Sequence, residues 1–272
     1  MNNPIGIFDS GVGGLTVARE VFKLLPQEDV VYFGDVGRYP YGGRSKDIIT
    51  KFTNQDILFL LEHKVKFIIC ACNSASSVAL DDISGNYEIP IIGVIKPGAI
   101  AAIEKTRNDR IGVIGTVATI NSNAYARIIH KERPDIKVFS LACPLFVPLA
   151  EEGYIEKKAT YLIAQDYLQT MRDVNIDTLI LGCTHYPLLK NVIEDVMGDS
   201  VTLIDSGEET AREAYKILME KSMINSAASQ QPVPEGEHKF FVSDVPEKFT
   251  QVASRFLGRP VDRVTRVDIS GY

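Results

Sequence analysis

Phe67-Ile68-Ile69-Cys70-Ala71-Cys72-Asn73-Ser74 and Thr178-Leu179-Ile180-Leu181-Gly182-Cys183-Thr184-His185 follow one pattern. Each opens on a short apolar run that reads as a buried strand. Each closes on a cysteine followed by a polar residue. A second pair lies upstream of the first: Ile5-Gly6-Ile7-Phe8-Asp9-Ser10 resembles Ile111-Gly112-Val113-Ile114-Gly115-Thr116. Both matches are displaced by nearly the same number of residues. The chain therefore reads as two similar α/β halves. Each offers a hydroxyl-bearing turn after its first strand and a cysteine at the end of a later one.

The same alternation runs outward from these stretches. Strand patterns recur at Ile5–Phe8, Val30–Phe33, Lys66–Cys70, Ile89–Ile95, Arg110–Ile114, Lys137–Leu141, Thr178–Leu181 and Val201–Ile204. Segments of helical periodicity lie between many of them, such as Leu15–Leu25 and Ser45–Lys64, the latter with Ser45 as its N-cap. Pro97 and Pro187 sit where a first helical residue tolerates a missing N–H. Strand and helix in alternation predict parallel sheets with crossover helices, which bind ligands at the carboxyl ends of their strands. Asn225 to His238 is polar and rich in Ser, Gln and Pro, and reads as an exposed loop. Beyond it Lys239–Val242 resumes as a strand and Pro246–Leu257 as a helix. These are too few to form a domain and are expected to complete an earlier sheet.

The 272 residues, 45% of them apolar, suffice for one large domain or two modest ones. With 29 basic against 35 acidic residues the net charge is −6, which argues against nucleic acid as a partner. No apolar run is long enough for a membrane span. Met1-Asn2-Asn3-Pro4 leads straight into a strand and not into a signal peptide, so a cytoplasmic location is expected. Thiols stay reduced there. Catalysis, metal binding or core packing then explain Cys70, Cys72, Cys143 and Cys183 better than disulfides do.

Cys72 and Cys183 each follow a strand and precede a helix start, which exposes a side chain at the carboxyl edge of a sheet. A helix N-terminus also lowers a thiol's pKa from its usual value of about 8.5. If a pseudo-two-fold axis relates the halves, the two sulfurs face each other across a cleft. That arrangement suits a thiolate and a thiol exchanging the roles of base and acid on opposite faces of one carbon. Cys70, still inside its strand, and Cys143 read as small core residues. Zinc ligation by Cys70-Ala71-Cys72 with Cys183-Thr184-His185 fits poorly, because structural zinc sites space their cysteines by two to four residues on turns.

Asp9-Ser10-Gly11-Val12-Gly13-Gly14 is a Gly-rich turn from strand to helix, able to present N–H groups to a small carboxylate. Thr16 stands where a dinucleotide signature needs its third glycine. Asp9 is either an N-cap or a group that meets an ammonium or handles protons. Tyr39-Pro40-Tyr41-Gly42-Gly43 reads as a turn. Asn73, Ser74, Thr116, Thr119 and Thr184 lie at or near strand ends, as carboxylate donors or as helix caps. His185 is a candidate acid/base partner of Cys183. Glu151 and Glu152 read as solvated.

Taken together and in order, Ile7–Leu15, Pro40-Tyr41-Gly42, Ala71–Ala75, Gly115-Thr116, Cys143–Leu149, Glu151-Glu152-Gly153 and Gly182–Pro187 resemble the glutamate racemase family. Ser74 stands where the family also uses Thr. The resemblance implies a pseudo-symmetric two-domain α/β fold, each domain a mainly parallel sheet flanked by helices, with the active site in the cleft. The expected division is 1–96 plus 208–272, carrying Asp9 and Cys72, and 97–207, carrying Glu151, Cys183 and His185. The resemblance also implies racemisation of glutamate without pyridoxal phosphate, metal or nucleotide, supplying D-glutamate for peptidoglycan, and a homodimer. Cys183 would deprotonate L-glutamate and Cys72 D-glutamate. Asp9 would assist Cys72, and Glu151 with His185 would assist Cys183. Asp9, Ser10, Tyr41, Gly42, Asn73, Ser74, Thr184 and His185 would bind substrate, with Thr116 and Thr119 as helpers.

Overall fold

The computed structural model describes residues 3–225, 236–261 and 263–272. Its strands are β1 (Ile5–Asp9), β2 (Val30–Gly34), β3 (Phe67–Cys70), β4 (Ile91–Gly93), β5 (Arg110–Gly115), β6 (Lys137–Ala142), β7 (Thr178–Gly182), β8 (Thr202–Asp205), β9 (His238–Val242) and β10 (Val264–Arg266). Among the described residues they form two sheets, ordered β10-β9-β2-β1-β3-β4 and β6-β5-β7-β8. Every pairing in both is parallel. The block β2-β1-β3-β4 has the same order as β6-β5-β7-β8, so the repeat seen in the sequence is a repeat of topology. As expected, the C-terminal segment returns to the first sheet, adding β9 beside β2 and β10 beside β9.

Register follows from the apolar runs. β1 lies against β3 with Ile5 opposite Phe67 and Phe8 opposite Cys70. β5 lies against β7 with Ile111 opposite Thr178 and Gly115 opposite Gly182. β1, β2, β3 and β7 are buried along their whole length, which is why they read as continuous apolar runs without alternation. Each buried Ile, Leu or Phe adds roughly 1.5–3 kcal/mol over its exposed state.

Several boundaries differ from the sequence reading. The strand expected over Ile89–Ile95 shrinks to β4, because helix Ile95–Lys105 begins at its former end. Pro97 is therefore the third helical residue and Pro187 the second of the 3-10 turn Tyr186–Leu189. Both positions still lie within the first turn, whose N–H groups have no helical partner. Ser45 precedes helix Lys46–Glu62 without a side-chain cap bond. Of the loop expected over Asn225–His238, residues 226–235 lie outside the described residues, and His238 already belongs to β9. The chain passes between the sheets through helices Ile95–Lys105 and Ser206–Glu220, which pack together. The positions 96/97 and 207/208 fall within these helices. No helix among the described residues is long and apolar enough to cross a membrane.

Phe67 is fully buried at the start of β3, at the opposite end of the strand from Cys72. Phe67→Ala is expected to cost about 3–5 kcal/mol of unfolding free energy. Urea titration followed by circular dichroism measures it.

Candidate active site

The carboxyl edges of the two sheets meet. Asp9 ends β1, Cys72 lies two residues past β3, Thr116 follows β5, and Cys183 follows β7. Between them lies a cavity of about 310 Å³, near the lower end of the range of about 300–1,000 Å³ usual for small-molecule sites. Of the residues singled out in the sequence, Ser10, Tyr41, Gly42, Cys72, Asn73, Ser74, Thr116, Cys183, Thr184 and His185 line it. Both cysteines are 4–5% exposed. No Lys or Arg is among the lining residues, so apart from His185 the donors available to an anionic guest are neutral.

The other expected residues stand behind this wall. Thr119 is buried behind Thr116, with the two hydroxyls 3.0 Å apart. Tyr41 turns its phenol away from the cavity, donating to Asp35 and, at 3.0 Å, to Asp56. Arg38 bridges the same two carboxylates at 2.6 and 2.9 Å. The loop that lines the cavity is thus anchored by a buried ionic cluster. Asp9 and Glu151 lie one layer back, each beside a cysteine region.

The Gly-rich turn does not form the anion cradle that its sequence suggests. The Gly11 N–H already donates to Asp9 Oδ2 at 2.9 Å. At Gly13 an added Cβ would stand 2.3 Å from Thr184 Oγ1 and 2.6 Å from the His185 ring. Gly13 is therefore the point where the halves touch. Beside it Thr16 Oγ1 donates to the Thr184 carbonyl at 2.9 Å. Two more bonds cross the seam: Ser74 Oγ to Thr116 Oγ1 at 3.0 Å, and Tyr125 Oη donating to Asn73 Oδ1 at 2.8 Å.

The two cysteines sit in different electrostatic settings. Cys72 caps helix Asn73–Val78; the Ala75 N–H points at its sulfur at 3.4 Å, and its thiol donates to Ser10 Oγ at 3.5 Å. Burial, reinforced by the neighbouring Asp9 charge, outweighs these bonds and pushes the Cys72 thiol up to about 12. This overturns the lowered pKa expected there: a single short helix start does not offset desolvation. Burial also raises Asp9, against the charge of His185. Asp9 Oδ1 is buried with no hydrogen-bond partner among the described residues.

At the other cysteine, His185 Nδ1 lies 3.8 Å from Cys183 Sγ and its Nε2 lies 3.0 Å from Glu151 Oε1. Burial opposes charge on this imidazole. The hydrogen bonds and charges of Cys183 and Glu151 prevail and raise it to about 10. Glu151 is held below its ordinary value despite burial, through His185, a hydrogen bond from Tyr39 and the charge of Lys248. An imidazolium donating to both sides fits this arrangement. Cys70 lies within β3, its thiol directed at the Cys72 carbonyl, and Cys143 is buried behind Cys183. Among the described residues no three His, Cys, Asp or Glu side chains converge to hold a metal ion.

The sequence reading missed Tyr39, Pro40, Gly43, Val117, Pro144, Val147 and Pro148, which also line the cavity. The repeat carried the signal for several of them. Tyr39–Gly43 follow β2, and Pro144–Pro148 follow β6, the equivalent strand of the second sheet.

Residues 43–214 match the Asp/Glu/Hydantoin racemase family. A glutamate racemase of Geobacter metallireducens is 48% identical over 265 residues, 97% of this chain and 96% of that protein. The crystal structure of glutamate racemase isoform RacE1 from Bacillus anthracis superposes with a TM-score of 0.92 at 40% identity, covering 98% of this chain and 97% of the other. That of glutamate racemase from Francisella tularensis, in complex with D-glutamate, gives 0.91 at 41% identity, with both chains fully covered.

With its thiol raised to about 12, Cys72 is protonated through the neutral range. In the ligand-free protein its alkylation by iodoacetamide is therefore expected to rise with pH about tenfold per unit from pH 7 to beyond pH 10. Peptide mass spectrometry follows it site by site, and a plateau near pH 8.5 would contradict the raised value.

Proposed function

The chain belongs to the Asp/Glu/Hydantoin racemase family, and on that basis we propose that it is an isomerase interconverting L- and D-glutamate, with Cys72 and Cys183 as its two bases. The observation that carries this reading is the pair of cysteines on equivalent turns of two matched half-sheets, lining one small cavity from both sides. A racemase needs a proton acceptor on one face of the α-carbon and a donor on the other. Two thiols in such a position supply both functions, so the route uses no pyridoxal phosphate, metal or nucleotide.

Starting from L-glutamate, the Cys183 thiolate takes the α-proton and becomes a thiol. The electron pair left on the α-carbon spreads into the α-carboxylate. The Cys72 thiol then delivers its proton to the opposite face and becomes a thiolate. D-glutamate has formed, and the two sulfurs have exchanged states. The reverse reaction runs the same steps from Cys72. The resting poise suits the first direction: Cys72 holds its proton, and the His185 imidazolium faces Cys183. Glu151 keeps that imidazolium charged, and Asp9 lies beside Cys72 to support its turn as base. Hydroxyls of Ser10, Ser74, Thr116 and Thr184, the Asn73 amide and the backbone of Tyr41-Gly42 are the neutral donors for the substrate carboxylates. Thr119 acts through Thr116.

In this reading residues 1–96 plus 208–272 carry Asp9 and Cys72, and residues 97–207 carry Glu151, Cys183 and His185. The D-glutamate product would enter peptidoglycan in the cytoplasm of a bacterial cell, with the enzyme as a homodimer.

Circular dichroism of either glutamate enantiomer, with protein dialysed against EDTA, is expected to decay to zero without added cofactor. Cys72→Ala and Cys183→Ala should each slow this decay by at least about 10²–10⁴-fold, the usual value of one positioned acid or base. In D₂O, Cys72→Ala should exchange the α-proton of L-glutamate alone, and Cys183→Ala that of D-glutamate alone. Full racemisation by either variant would refute the two-base route.

A further inference from the structure

Helix Phe146–Glu151 ends with its last carbonyl groups unpaired within the helix, as all helices do. The Arg255 guanidinium of helix Pro246–Leu257 donates to two of them, the carbonyl of Glu151 and that of Ala150. Helix Pro246–Leu257 packs on the first sheet's side of the molecule, whereas Glu151 belongs to the second. Gly153 makes room for this contact. It turns the chain at φ 73°, and a Cβ there would stand 2.9 Å from Arg255 Cζ. The adjacent Phe256 presents itself edge-on to the His185 ring, with centroids 5.1 Å apart. One turn of this helix thus touches both members of the His185–Glu151 pair.

We propose that Arg255 is a positioning residue for racemisation: by gripping the Glu151 main chain from the opposite half, it holds the Glu151 carboxylate on His185 and so keeps the imidazolium in place behind Cys183. This deepens the function proposed above and rests on it. The Glu151 side chain is 25% exposed, so water competes for its carboxylate. Tyr39, also from the first half, donates to that carboxylate. Main-chain grip and side-chain bond together leave Glu151 little freedom to turn away. Among the described residues the other half of the site has no such arrangement: Asp9 ends β1 and accepts from the Gly11 N–H. The groups facing His185 are Cys183, Glu151 and Asp9, with Tyr39 and Lys248 behind Glu151. Arg255→Met also removes a nearby cation, which by itself would raise the imidazole, so a fall in its pKa reports loss of the Glu151 contribution.

The test is titration of His185 by NMR in the ligand-free protein and in Arg255→Met and Arg255→Lys, with racemisation and urea unfolding measured alongside. The expected result is a His185 pKa at least one unit lower in folded Arg255→Met, with kcat down about tenfold and KM changed less than threefold. Arg255→Lys, which still donates to the carbonyls, should recover most of both. His185 titrating as in the parent protein would overturn the proposal, as would equal losses in both variants. Should Arg255→Met fail to fold, the same titration of Gly153→Ala, whose methyl displaces the guanidinium, decides by the same shift or its absence. If the parent protein does not racemise glutamate, the proposed function fails, while the His185 shift still reports whether Arg255 holds Glu151.

Discussion

The contact of Gly13 with Thr184 and His185 is the constraint on which the arrangement of the site depends. Only a residue without a side chain lets the turn after β1 lie against the turn after β7. That approach seals one side of the cavity and buries the imidazole. It also brings Thr16 within hydrogen-bond reach of the Thr184 carbonyl. Further bonds of the seam, Ser74 to Thr116 and Tyr125 to Asn73, join the turns after β3 and β5 and the helix near Ser206. Residues that line the cavity therefore also hold its two walls together. A change at one of them acts on geometry as well as on its own contact.

Burial meets different partners at the two cysteine turns, although these turns are equivalent in topology. Beside Cys72 it acts with the Asp9 charge, and the thiol keeps its proton. Beside Cys183 the imidazole of His185 reaches both the sulfur and Glu151, and these partners outweigh the cost of burying its charge. A duplicated scaffold thus carries unlike partners at its two ends. In the proposed racemisation, Cys72 is thus the thiol that holds a proton to give.

The absence of Lys and Arg from the lining residues bears on the same chemistry. In the proposed reaction, removal of the α-proton places further negative charge on the α-carboxylate, and preorganised donors aimed at it strengthen as that charge develops. In that reading, hydroxyl and amide donors would hold the carboxylate. Of the charged groups proposed to act, Asp9 and Glu151 stand behind the wall, and His185 lines the cavity beside Cys183.

How much of this was legible in the sequence follows from what each feature depends on. Local periodicity produced the strands, because β1, β2, β3 and β7 are buried along their whole length and read as apolar runs without alternation. The repeat of strand, turn and cysteine was visible for the same reason, and it located Cys72, Cys183, Ser10 and Thr116 at strand ends. Boundaries governed by packing were not visible: β4 is short because helix Ile95–Lys105 begins early. Glu151 looked solvated on composition, and only the fold places it on His185, 34 positions away in the chain. Tyr41 looked like a site residue, yet only the fold turns its phenol toward Asp35 and Asp56. The Cys72 pKa could not be read from its helix start, because desolvation and the Asp9 charge come from residues remote in sequence. The sequence by itself determined the fold class, the repeat and which turns present cysteine and hydroxyl side chains at strand ends, since these rest on local patterns of apolar and turn residues. Only the tertiary structure decided proton poise, the partners of each cysteine and the shape of the cavity, since these rest on distances across the seam between the halves.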